Sequence, residues 1–197
     1  MKYSVDWLKE ETKKGNKHTL LGFWGDKTDN PMERVYSNFY LSDFTAVVVV
    51  DAEGNTEEVM FRCNEQYFMY RKALLFKDFD SVTKILSPDL NPFEYKKLGR
   101  AVQNYKDSIW NEYRFEAMKD GLFLKFTKDK KLKRLLLNTG NKVLVETSPF
   151  DEIWGIKMGK RDRSGKINKD WLDVYKWRGQ NLLGFALMEV RDEINAL

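Results

Sequence analysis

The stretch NEQYFMYRKALLF, residues 64–76, decides how the rest of the chain is read, because a carboxylate and an ammonium sit inside an otherwise aromatic and aliphatic run. The pattern predicts a helix. Glu65 and Lys72 are seven residues apart, about two turns at 3.6 residues per turn, so both side chains share one face. Phe68, Met69 and Phe76 share it with them. A solvated stripe would carry more polar neighbours, so the spacing predicts two ionisable groups in an apolar pocket, where protonation can be tuned. The alternative is a buried ion pair that only orients the helix.

Asn64 is a good N-cap, which puts Glu65 in the first turn, where the positive end of the helix dipole favours a negative charge. Lys72 pushes the same way and desolvation opposes both. Glu65 is therefore expected to act as a base, a nucleophile or a cation stabiliser, and is a poor proton donor.

Upstream, AVVVVDAEGNTEEVMFRC at 46–63 reads as a β-hairpin turning across Glu53, Gly54 and Asn55 and delivering the chain to that helix. LLGFWG at 20–25 reads as a short strand, followed by a turn at Asp29, Asn30 and Pro31. Residues 1–20 read as a polar leader, and 21–197 as one domain. Downstream, helices are expected over 78–87, over 92–100 behind Pro92, over 105–126 with a break at Gly121, and over the basic run KDKKLKRLLLNTG to Gly140. KVLVE at 142–146 reads as a strand, 147–179 as loop with a short turn near Trp171, and QNLLGFALMEVRDEINAL as an apolar helix whose Gly184 permits close approach.

At 197 residues the chain can bury a real core without staples. One cysteine, Cys63, forms no internal disulfide, and no apolar run is long enough to span a bilayer, so a cytoplasmic setting without membrane contact is expected. One histidine and one cysteine leave carboxylates as the candidate catalysts and no metal site or cofactor. The net charge of +4 is compatible with a phosphorylated substrate without demanding one. GIKMGKRDRSGK fails as a phosphate-binding P-loop on spacing, with Ile167 where Ser or Thr should sit. Its cluster of Lys157, Lys160, Arg161, Arg163, Lys166 and Lys169 is a candidate contact for phosphates or nucleic acid, or a solvated loop. The lysines of 128–134 read most simply as a solvated helix face.

Several separated blocks also fit together. YSNF at 36–39, EQYFMYRKA at 65–73, LGR at 98–100, Trp110, GL and KF within 121–126, LVE at 144–146, DEIWG at 151–155 and WRGQNLLGFALMEVR at 177–191 resemble the NADAR, or YbiA-like, family in order and approximate spacing. The resemblance covers roughly residues 22–195. It implies a single α+β domain, mostly helical with a small β-hairpin or sheet, and an N-glycosidase that cleaves between ribose C1′ and an exocyclic amino group. Two substrate classes follow from it: ADP-ribosylated guanine, here favoured, and phosphoribosylaminopyrimidine intermediates of riboflavin synthesis.

On the family pattern, Glu65 and Asp151 are the catalytic carboxylates, with Glu146 a less favoured substitute for Asp151. Lys72 holds Glu65 or, less readily, attacks an opened sugar. Asn38, Phe39, Arg100, Trp110, Trp154, Gly155 and Asn181 are implied to bind substrate, Arg100 at a phosphate and the two indoles as walls for the base. Gln66 stands where shorter members carry histidine, and Lys157 where they carry a glycine-rich turn. Two other classes remain: a non-catalytic ADP-ribose-binding module, and a nucleic-acid adaptor using the basic runs.

Overall fold

The computed structural model describes residues 1–25, 30–162 and 164–197, so Asp29 of the expected turn and Arg163 of the basic cluster lie outside the described residues. The expected α+β class holds, with eight helices, the short α2 (Pro31–Arg34) and α7 (Lys130–Leu137) among them, and four short strands among the described residues. The chain gathers into two compact units, one of Met1–Ser37 with Arg134–Leu197 and one of Asn38–Lys133.

In the second unit, β2 (Phe44–Val49) and β3 (Thr56–Phe61) form the expected antiparallel hairpin, with Phe44 opposite Phe61. Gly54 takes the turn at φ 84°, a left-handed conformation that favours glycine. The hairpin hands the chain to α3 (Asn64–Leu75), which packs against α4 (Phe79–Leu86), α5 (Pro92–Arg100) and α6 (Asp107–Lys128). Surrounded on several sides, α3 buries eight of its twelve residues, far more than one amphipathic stripe. Phe61, Ala73, Val82, Ile85, Tyr95, Leu122 and Phe126 make up the fully enclosed centre.

Two expectations change here. The N-cap of α3 is Cys63, without a side-chain cap bond, while Asn64 is the first helical residue. The amino end is instead served by Gln66, whose Oε1 accepts the Arg62 amide at 2.8 Å while its Nε2 donates to the Ile85 carbonyl at 2.8 Å. Helix α6 runs unbroken through Gly121, because that glycine marks a helix crossing. A Cβ there would stand 2.0 Å from Asn64 Oδ1 and 2.7 Å from the Tyr67 ring.

In the first unit, β1 (Leu20–Phe23) pairs in parallel with β4 (Val143–Glu146), and α8 (Leu182–Asn195) packs on β4. All four residues of β4 are buried, which is why VLVE reads as a continuous apolar run rather than an alternating one. Gly184 is needed for that packing, since a Cβ would lie 2.0 Å from the Leu144 carbonyl oxygen. The residues read as a polar leader instead contain α1 (Val5–Lys13), with Leu8 buried and the Lys9 carbonyl accepting the Tyr175 hydroxyl at 3.2 Å. The long loop carries two short 3-10 turns, Asp170–Leu172 and Val174–Lys176.

Candidate functional site

Asn38 organises the candidate site of the second unit. Its carbonyl accepts the Glu65 amide at 3.0 Å, its Nδ2 donates to Glu65 Oε2 at 3.0 Å, and its Oδ1 accepts Asn64 Nδ2 at 2.6 Å. Asn64 Nδ2 also lies 3.2 Å from Met118 Sδ, while its own Oδ1 is buried without a hydrogen-bond partner. Glu65, Asn38 and Asn64 retain only 5%, 8% and 0% exposure. A carboxylate so enclosed needs donors, and both the Asn38 amide and the amino end of α3 complement a negative charge.

Lys125 belongs to the same neighbourhood. It lies one turn beyond Gly121 on α6, is 1% exposed, and its Nζ stands 5.4 Å from the Tyr40 ring centroid. Burial pushes its pKa down to about 7. The Cys63 thiol feels the charges of both Glu65 and Lys125, and burial pushes it up to about 11. Sequence reading assigned Lys125 no role. The available signal was a lysine at helical spacing from Met118, Gly121 and Leu122, on a face otherwise free of charge.

Lys72 does not pair with Glu65. Its Nζ donates to the Gly99 carbonyl at 2.8 Å, at the end of α5, and stands 4.1 Å over the Tyr105 ring and 5.8 Å from that of Trp110. Seven residues of helix rise about 10.5 Å, so sharing a face brought the two groups into line without bringing them into contact. Burial lowers the Lys72 pKa; the Asp107 carboxylate opposes this and the Arg100 charge adds to it. Arg100 is exposed. Trp110 is buried, its ring 5.0 Å from that of Phe68, so most of the indole is core. Phe39 meets Phe93 edge to face at 4.9 Å.

The remaining candidates belong to the first unit. Asp151 Oδ1 accepts the amides of Ile153 at 2.9 Å and Trp154 at 2.7 Å, which folds the loop; Oδ2 takes no protein donor among the described residues. Trp154 is half-buried. Gly155 is a glycine for packing, since a Cβ would stand 2.9 Å from the Glu146 carbonyl oxygen. Asn181 departs from its expected role: fully buried, it accepts the Glu146 amide at 2.9 Å and donates to the Leu144 carbonyl at 2.9 Å. With both ends of its amide spent on β4, it braces α8 rather than facing a ligand.

The basic insert is also largely committed. Lys157 pairs with Glu152, Lys160 with Glu33 at 2.5 Å and the Gly22 carbonyl at 2.7 Å, and Arg161 donates to the Gly165 carbonyl at 2.8 Å. Lys157 adopts φ 51°, a conformation in which glycine is ordinarily found. Among the described residues no three His, Cys, Asp or Glu side chains cluster as a metal site requires, and no helix is long and apolar enough to cross a membrane.

Comparison with known proteins places these features. The chain is 38% identical over 166 residues to Protein irg-1 of Caenorhabditis elegans, covering 81% of this chain and 75% of that protein. It is 41% identical over 129 residues to N-glycosidase R617 of Acanthamoeba polyphaga mimivirus, covering 66% of this chain and 72% of that one. The NMR structure of the E. coli protein YbiA superposes with a TM-score of 0.58 at 24% identity, over 91% of this chain and 87% of YbiA, which shows a common fold. Residues 22–195 match the NADAR domain, and the chain belongs to the NADAR domain family.

Proposed function

We propose that the protein is an N-glycosidase that hydrolyses the bond between ribose C1′ and the exocyclic amino group of a base, with ADP-ribosylated guanine as substrate. The observation that carries this reading is Glu65, an enclosed carboxylate held by Asn38 in the first turn of α3. The matching N-glycosidase of the mimivirus supports the reaction class.

The bond breaks with its electron pair leaving on the amine, and positive charge develops on the ribose. Glu65 stabilises that charge and directs water to C1′. Trp110 bounds the base, and the departing amine takes up the proton that water releases as it bonds to C1′. Arg100 and Lys72 meet phosphate. Two adjacent cations suit a diphosphate better than a single phosphate, and this favours ADP-ribose now that Lys157 and Lys160 of the basic insert are spent on internal pairs.

The test is mass-spectrometric product analysis with an ADP-ribosylated guanine mononucleotide and, separately, a phosphoribosylaminopyrimidine. Release of ADP-ribose, reduced at least about 100-fold in Glu65→Gln, is the expected result. Turnover unchanged in that variant rules out the mechanism, and cleavage of the pyrimidine alone reassigns the substrate.

A further inference from the structure

Helix α5 presents a surface of which the proposed reaction uses only Arg100. Tyr95 and Gly99 face inward, whereas Phe93, Lys97 and Arg100 are exposed and Lys96 is half-exposed. These four sit at i, i+3, i+4 and i+7, one face of the helix. Phe93 leaves 67% of its surface in solvent, edge-on to Phe39, and the Lys96 ammonium lies 5.5 Å from the Phe39 ring centroid. Among the described residues, none of Lys96, Lys97 and Arg100 has a carboxylate ion-pair partner, unlike Lys157 and Lys160 of the basic insert. The lysines of the basic run after α6 are as exposed, but no aromatic ring accompanies them.

The stripe is also continuous with the candidate site. Phe39 follows Asn38, the residue that holds Glu65, and Arg100 lies beside Lys72. From one end to the other it runs about 10.5 Å along the helix axis. A bare aromatic ring offers a stacking platform to an unpaired base, and uncompensated cations beside it follow a phosphate backbone; neither requires a particular sequence.

We propose that this face of α5 is a docking track for single-stranded nucleic acid, with one base laid on Phe93, which Phe39 braces edge to face, and phosphodiesters along Lys96, Lys97 and Arg100. Its catalytic consequence rests on the glycosidase reading, in that the modified base would be presented to Glu65 while still part of a strand. The binding itself stands apart from that reading.

The experiment measures fluorescence anisotropy of a labelled single strand of mixed sequence, and of its duplex, with the full chain at increasing salt. Single-strand binding is expected with a slope of log affinity against log salt of about −2, the value for three phosphates neutralised on a single strand. Phe93→Ala combined with Lys97→Glu is expected to weaken it about tenfold or more, with circular dichroism unchanged because both positions are exposed. The same variant is expected to hydrolyse a ribosylated mononucleotide at the parental rate. Absence of single-strand binding, equal binding of the duplex, or unchanged binding by the double variant overturns the track. A protein that binds the strand through these residues yet cleaves no ribosylated base keeps the track and loses the glycosidase reading; the reverse pattern separates them the other way.

Discussion

Asn38 orients the start of α3 with its carbonyl and the Glu65 carboxylate with its amide. Asn38→Ala is therefore expected to lower kcat/KM by about 10- to 100-fold and to cost about 1–3 kcal/mol in urea unfolding, because it strips a donor from an enclosed carboxylate. Lys72 belongs to the phosphate end of the proposed site, so Lys72→Gln should raise KM several-fold with kcat little changed, and borohydride should trap no adduct at this lysine. An adduct there would revive its nucleophilic role.

Lys125 supplies the pH dependence at this scale. Its folded pKa of about 7 lies below the ordinary lysine value of 10.5, so between the two the unfolded chain binds the extra proton. Stability therefore rises as pH increases through about 7 toward 10, and is least where the buried ammonium is charged in both states. Thermal unfolding across that range should show the rise, and Lys125→Met should flatten it. A parental curve without the rise would mean that Lys125 is not titrating there.

At the scale of elements, glycines set how closely the helices approach. A Cβ on Gly99 would lie 1.7 Å from Met69 Sδ, at the end of a flexible side chain, whereas on Gly121 it would meet the buried Asn64 amide at 2.0 Å. Gly121→Ala is accordingly expected to destabilise by about 1–3 kcal/mol, more than Gly99→Ala, and to lower activity by displacing Asn64 from Asn38. Chemical denaturation and steady-state rates on the same variants test both parts. The start of α5 depends on a capping box, with Asn91 Oδ1 accepting the amides of Phe93 and Glu94 and Glu94 Oε2 accepting that of Asn91. Asn91→Ala should cost about 1 kcal/mol.

At the scale of the whole molecule, the first nineteen residues are structural. Besides α1, the Lys2 ammonium pairs with Asp192 at 2.5 Å and the Tyr3 hydroxyl donates to the same carboxylate at 2.7 Å. Removing residues 1–16 should lower the melting temperature of the chain by several degrees or more, with Leu8 burial the larger part of the loss. A truncated chain that melts like the intact one would return this segment to the status of a leader.

Local order was legible in the sequence because short-range forces decide it. The hairpin at Gly54, the helix behind Pro92, the strand VLVE and the enclosed helix with its acidic first turn all follow from turn chemistry, capping and periodicity, and the separated motif blocks carried the family. Tertiary structure alone decided what each polar group touches. Asn64 looked like a cap and became Asn38's partner; Lys72 shared a face with Glu65 and bonded Gly99 instead; Asn181 turned inward to β4; and Gly121, a presumed helix break, marks where two helices cross. Lys125 was one lysine among many until packing took its solvent away. Periodicity assigns a side chain to a face, but a hydrogen bond or a displaced proton depends on which distant segment that face meets, and that is set only when the chain folds.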